Sequence, residues 1–109
     1  MKKIRIISES AALGTRLRDI LYQAGYADIS LSDLSAIAEA LPDEIHVIYA
    51  KTRISDIMQS AAESDAQIIL LLNPDCYVMH LDRARHTGIC LLLMPVAPDQ
   101  LLDAVAIFS

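Results

Sequence analysis

Four short stretches hold the side chains that could do chemistry. Ser8-Glu9-Ser10 offers two hydroxyls and a carboxylate, and Tyr49-Ala50-Lys51-Thr52 a phenol, an ammonium and a hydroxyl. Leu72-Asn73 adds an amide and Met94-Pro95 a thioether. A divalent cation wants several oxygen ligands, and Glu9 is a single acid. Its expected role is to complement the N-terminus of the helix that follows. The Tyr49 phenol is a conceivable phosphoryl acceptor, but the expectation is packing in the sheet with the hydroxyl towards the loop. Cys76 stands where a helix begins, a position that lowers thiol pKa values; the plainer reading is a small buried residue. Cys76 and Cys90 are too few and too far apart for a metal motif, and read as free thiols of a reducing, cytoplasmic compartment. His46, His80 and His86 lack metal-ligand spacing. Pairs of His80 or His86 with Asp82, and the cations Lys51, Arg53, Arg83 and Arg85, read as solvated surface charge. No metal and no cofactor is expected.

These stretches share one property: each follows a short apolar run. Lys3 to Ser8, with Ile4, Ile6 and Ile7, predicts strand one. Ala27 to Ser32, Ile45 to Tyr49 and Gln67 to Leu72 predict strands two to four. Ile89 to Leu93 is long enough for a strand and too short for a helix. It reads as buried on both faces and ended by Met94-Pro95. Between the runs lie helical patterns. Ala11 to Ala24 places Leu13, Leu17, Ile20 and Leu21 on one face, with Gly25 as the stop. A short helix carries Leu34, Ile37, Ala38 and Leu41, capped by Ser32 or Asp33 and broken at Pro42-Asp43. Thr52 to Glu63 and Cys76 to His86 predict the third and fourth helices, the latter after an Asn73-Pro74-Asp75 turn and before Gly88. Asp99 to Phe108 predicts the fifth. Strand–helix alternation, five of each, implies an α/β fold: a parallel sheet with right-handed crossovers and helices on both faces. In such a sheet ligands sit beyond the carboxyl ends of the strands, which is where the four stretches fall.

Composition narrows the function. At 109 residues and 54% apolar the chain reads as one globular domain, residues 1–109. No apolar run reaches the roughly 18 residues of a spanning helix, and no signal peptide is evident. A net charge of −5 argues against direct nucleic-acid binding by these residues. Neither GxGxxG nor GxxxxGK[ST] occurs.

The order and spacing of the elements, and above all the ending MPVAPDQLLDAV, resemble response-regulator receiver domains. In that family the last strand ends in Lys-Pro, followed by a turn and a Leu-Leu helix. The resemblance implies a doubly wound, flavodoxin-like (βα)5 sheet in strand order 2-1-3-4-5. It also implies where phosphotransfer groups would stand, and none carries over intact. Ser8 and Glu9 replace a pair of acids. The phosphoacceptor aspartate falls at Tyr49 or Ala50, the hydroxyl residue at Leu72 or Asn73, and the lysine at Met94. The aromatic switch position falls on Leu91. The resemblance therefore implies a pseudo-receiver: no enzyme, but a module acting through a protein partner or as a homodimer. Degenerate receivers of this kind begin antitermination regulators whose C-terminal helical domain, often called ANTAR, binds RNA. An RNA- or DNA-binding output domain would then lie outside this chain, and the short last helix fits an N-terminal piece of such a regulator. The interface is expected on the fourth helix, fifth strand and fifth helix, through Leu91, Leu101, Val105, Ile107 and Phe108.

Two other classes remain open. KKIRIISESAALGTRL faintly resembles the start of sugar-phosphotransferase IIB domains, with Ser8 where those carry an acceptor cysteine. A small-ligand sensor would use the cleft above strands one and three.

Overall fold

The computed structural model describes residues 3–32, 44–62 and 67–108. The short helix expected over Leu34 to Leu41 lies outside them. The described elements are β1 (Lys3–Ser8), α1 (Ala11–Gln23), β2 (Ile29–Ser32), β3 (Glu44–Tyr49), α2 (Ile54–Ala62), β4 (Gln67–Leu72), α3 (Pro74–Thr87), β5 (Cys90–Leu93) and α4 (Pro98–Phe108). The five strands form one parallel sheet in the order β2-β1-β3-β4-β5, as the receiver resemblance implies.

Alternate side chains of each strand enter two separate cores. Ile4, Ile6, Val47, Tyr49, Ile69 and Leu71 pack under α1 and α4, with Leu17, Leu21, Leu101 and Val105. Ile7, Ile48, Ala50, Leu70 and Leu72 pack under α2 and α3, with Ile54, Ile57, Met58 and Ala84. A strand covered on both faces carries a near-continuous apolar run, and β3, central in the sheet, is buried at every residue.

β5 departs from expectation. It is an edge strand, so Cys90, Leu91 and Leu92 are half-buried and Leu93 is exposed rather than enclosed on both faces. Pro74 is a second correction. It opens α3 instead of sitting in a turn before it, because a proline at the first helical position loses no hydrogen bond.

Local chemistry sets the helix ends. The Ser10 hydroxyl accepts from the Leu13 amide and caps α1. Gly25 (φ 102°) and Gly88 (φ 75°) follow α1 and α3 in left-handed conformations that a Cβ would strain. At α4 the Gln100 side chain accepts from the Ala97 amide, half of a capping box.

Candidate functional site at the strand ends

β1 and β3 run in register from Lys3 opposite Glu44 to Ser8 opposite Tyr49, so their carboxyl ends deliver Ser8-Glu9 and Tyr49-Ala50 side by side. β4 brings Leu72-Asn73 next to them, and the Met94 amide donates to the Leu72 carbonyl at 2.8 Å. All the candidate positions therefore meet at one end of the sheet. Their side chains do not make a reactive centre.

Ala50 and Leu72 are fully buried in the second core. Tyr49 is buried in the first, and its hydroxyl donates to Asn73 Oδ1 at 3.4 Å, which matches the expected packing. Met94 is half-buried against the first core, beside Val96; the Met94-Pro95 peptide is cis. The Ser8 hydroxyl is engaged twice. It donates to the Ser10 carbonyl (2.7 Å) and accepts from the Ser10 amide (3.0 Å).

Glu9 does not cap α1. Ser10 does that, and the Glu9 carboxylate turns to the loop after β3 instead. Oε1 accepts from the Thr52 hydroxyl at 2.7 Å and the Thr52 amide at 3.3 Å, and Oε2 accepts from the Lys51 amide at 3.2 Å. The Glu9 amide donates to the Tyr49 carbonyl at 3.2 Å. The Thr52 hydroxyl, followed by the Lys51 and Thr52 amides and the Lys51 charge, holds the carboxyl below the ordinary carboxylate range, against a smaller opposing push from burial.

An open cleft of about 600 Å³ lies at the α1 N-terminus, above β1 and β2 rather than β1 and β3. Its lining includes Ser8, Glu9, Ser10, Gly14, Leu31 and Ser32. Among the described residues no group of three His, Cys, Asp or Glu side chains is placed to hold a metal ion, and no helix is long and apolar enough to cross a membrane.

The expected interface residues divide sharply. Leu101 and Val105 are fully buried beneath the sheet, so they belong to the core and not to a surface. Their spacing puts them on the one face of α4 that the sheet must cover. Phe108 and Leu91 are half-buried against the first and second cores. Ile107 is 76% exposed, and so is Val78 of α3.

Sequence reasoning missed one cluster altogether. At the opposite end of the sheet Glu44 Oε2 lies 3.1 Å from His46 Nε2 and 3.4 Å from Arg5 Nε. Glu44 and His46 are buried, and His46 Nδ1 has no hydrogen-bond partner among the described residues. Asp82 is exposed, as expected, and lies 3.7 Å from Arg85; His86 Nδ1 faces the Asp82 carbonyl.

No protein-family model matches the chain, and no curated protein matches it in sequence. Solved structures do match in shape. A response regulator from Colwellia psychrerythraea superposes with a TM-score of 0.76 at 14% identity, over 98% of this chain and 96% of that one. The fold is receiver-like. A de novo designed Rossmann 2x3 protein, solved by solution NMR, superposes with a TM-score of 0.73 at 18% identity, over 99% of this chain and 89% of the design. The second match shows that the receiver-like arrangement is also a generic solution for alternating strands and helices. At such identities the likeness is one of fold.

Proposed function

We propose that this chain is a pseudo-receiver: a signalling module with a receiver-like fold that transfers no phosphoryl group and acts through protein contact. The observation that carries this reading is what fills the strand ends. Ala50 and Leu72 are sealed in hydrocarbon, and Met94 lies against the first core where a lysine would be needed. A thioether and two aliphatic side chains supply neither a nucleophile nor a cation for a phosphoryl group. The setting proposed is a bacterial-type transcription or antitermination regulator, with an RNA- or DNA-binding output domain outside these residues. Pairing of two copies would use the free β5 edge and the flanks of α3 and α4.

Incubation with acetyl phosphate and magnesium, followed by intact-mass spectrometry, tests the reading. The expected result is an unmodified mass. An acid-labile phosphoryl adduct overturns it. The same experiment bears on the phosphocarrier alternative, which the doubly engaged Ser8 hydroxyl disfavours.

A second reading, a small-ligand sensor, has one observation in its favour, the cleft above β1 and β2. A thermal-shift screen with metabolites addresses it, and a ligand whose effect is lost in Gly14→Leu would support it. In that variant the added side chain meets Ser8 and Leu31, since even a Cβ there lies 3.5 Å from Ser8 Cβ and 3.6 Å from Leu31 Cδ2.

A further inference from the structure

In a sheet of order β2-β1-β3-β4-β5 the connections leave β1 and β3 in opposite directions, and the crevice between their carboxyl ends is where a ligand would enter. That crevice is bridged. The Glu9 carboxylate crosses from the β1–α1 loop and gathers three donors of the β3–α2 loop, two backbone amides and one hydroxyl. Hydrogen bonds to an ionised carboxylate are about twice as strong as neutral ones. The receiving loop needs such a partner. It contains Arg53 at φ 58°, a left-handed conformation that costs a non-glycine residue energy. Arg53 also starts α2, its carbonyl accepting from the Ile57 amide at 3.1 Å.

We infer that Glu9 is a built-in latch: its tethered carboxylate reaches across the crevice between β1 and β3 and holds the β3–α2 loop in one conformation. The loop then needs no bound cation or anion to become ordered. The two ends of the latch differ in kind. Ser10 fixes α1 without Glu9, so only the β3–α2 loop depends on the carboxylate. The latch deepens the pseudo-receiver reading, since it makes the loop state independent of phosphorylation, but it stands on its own geometry.

Amide hydrogen exchange by NMR on the full chain tests it, with Glu9→Ala, Glu9→Gln and Thr52→Val. In Glu9→Ala the Lys51 and Thr52 amides should exchange about tenfold faster or more, the change expected for losing roughly one charge-assisted hydrogen bond. The Leu13 and Gly14 amides should not change. Glu9→Gln, which keeps one acceptor oxygen and no charge, should fall between. Thr52→Val keeps the fold's apolar content and removes only the hydroxyl, so it serves if Glu9→Ala does not fold. A rise confined to the same two amides there supports the latch. Unchanged protection of Lys51 and Thr52 in whichever of these variants folds overturns it. The outcome is separable from the pseudo-receiver reading. Unchanged exchange with no phosphoryl adduct removes the latch alone, whereas an adduct on the native chain removes the pseudo-receiver and leaves the exchange result to be judged by itself.

Discussion

The two ends of the sheet handle polar groups in opposite ways. At the carboxyl end, where chemistry is expected, the groups that bond are at the surface: Glu9, Lys51 and Thr52 join two exposed loops, and the interior beneath them is Ala50, Leu72 and Met94. At the amino end, where no ligand is expected, Arg5, Glu44 and His46 form a polar cluster, with Glu44 and His46 buried in the sheet and Arg5 partly buried beside them. Water screens the first set far more than the second. Burial of charge therefore marks a structural commitment in this molecule, and the end with the fold's usual ligand position is the one with least electrostatic investment.

The largest effect should come from the amino end. Glu44→Ala leaves the Arg5 guanidinium and His46 without their shared carboxylate in a buried setting. Breaking a buried pair by removing one partner typically costs about 3–5 kcal/mol. Urea unfolding monitored by circular dichroism should show the midpoint falling accordingly, and Glu44→Gln should recover part of it by keeping an acceptor. A loss below about 0.5 kcal/mol, the size of an ordinary surface substitution, would place the cluster in effective contact with solvent and erase the contrast between the ends.

This cluster also shows where the sequence was legible. Central strands β3 and β4 were readable because Ile45 to Tyr49 and Gln67 to Leu72 are largely apolar on both alternating sets; the parallel sheet followed from the alternation of elements, and its strand order from the family resemblance. Arg5 and His46 were passed over although the same logic contained them. If both faces of β1 and β3 are covered, a charged residue within either strand must be inside, and Glu44-x-His46 places two polar groups on one face by the period of two. The Glu9 latch was not legible, because it joins residues 42 and 43 positions apart through loop geometry that no local pattern encodes. The surface role given to Leu101 and Val105 failed for a simpler reason. A helix rich in apolar residues does not announce which of them face the sheet, and on α4 those two do, with Ala104.

Met94→Lys sharpens the comparison from the carboxyl end. It puts a charge into the place where the interior is hydrocarbon, and should cost about 1–3 kcal/mol without creating phosphoryl acceptance. A thermal melt and an intact mass after acetyl phosphate treatment check both parts. An unchanged or raised melting temperature would mean that Met94 is not packed and that an acidic pocket persists beside it.

Acid gives a smaller effect at the same end. Because the Thr52 hydroxyl and loop amides lower the folded-state pKa of Glu9, its ionised form is favoured in the folded chain. The stability this adds is complete above the ordinary glutamate value of about 4.3. It is lost as pH falls through the lowered value of the folded state. No contribution from Glu9 should therefore change between neutrality and about pH 5. The contribution is modest, since the carboxylate is exposed and screened. In an NMR titration the Lys51 and Thr52 amide shifts should move together, with a midpoint below that of a free glutamate. A midpoint at or above the ordinary value would detach the carboxylate from those donors.

The smallest effect on stability, and the one most informative about function, is expected at the free edge. Arg83 of α3 reaches the Ser55 carbonyl of α2 at 3.5 Å, so that side of α3 faces α2. Helical spacing then turns Val78 towards β5. On α4 the sheet-facing set is Leu101, Ala104 and Val105, and the same geometry on the opposite face of the sheet turns Ile107 towards β5 as well. Val78 and Ile107, each 76% exposed, thus flank an edge strand whose Leu93 is 45% exposed. An exposed apolar edge strand is a ready template for association, and two copies of this chain meeting there would form a two-fold pair. Val78→Glu with Ile107→Glu tests this without touching the core, since neither side chain is buried in the monomer and the combined cost should stay near 0.5 kcal/mol. Phe108→Glu would be a poor choice, because Phe108 packs on the first core and its loss would confuse unfolding with dissociation. Sedimentation equilibrium from about micromolar to millimolar concentration should show a dimer in the native chain and a monomer in the double variant at unchanged melting temperature. A native chain that stays monomeric, or a dimer that survives both glutamates, would assign the exposed edge no part in self-association.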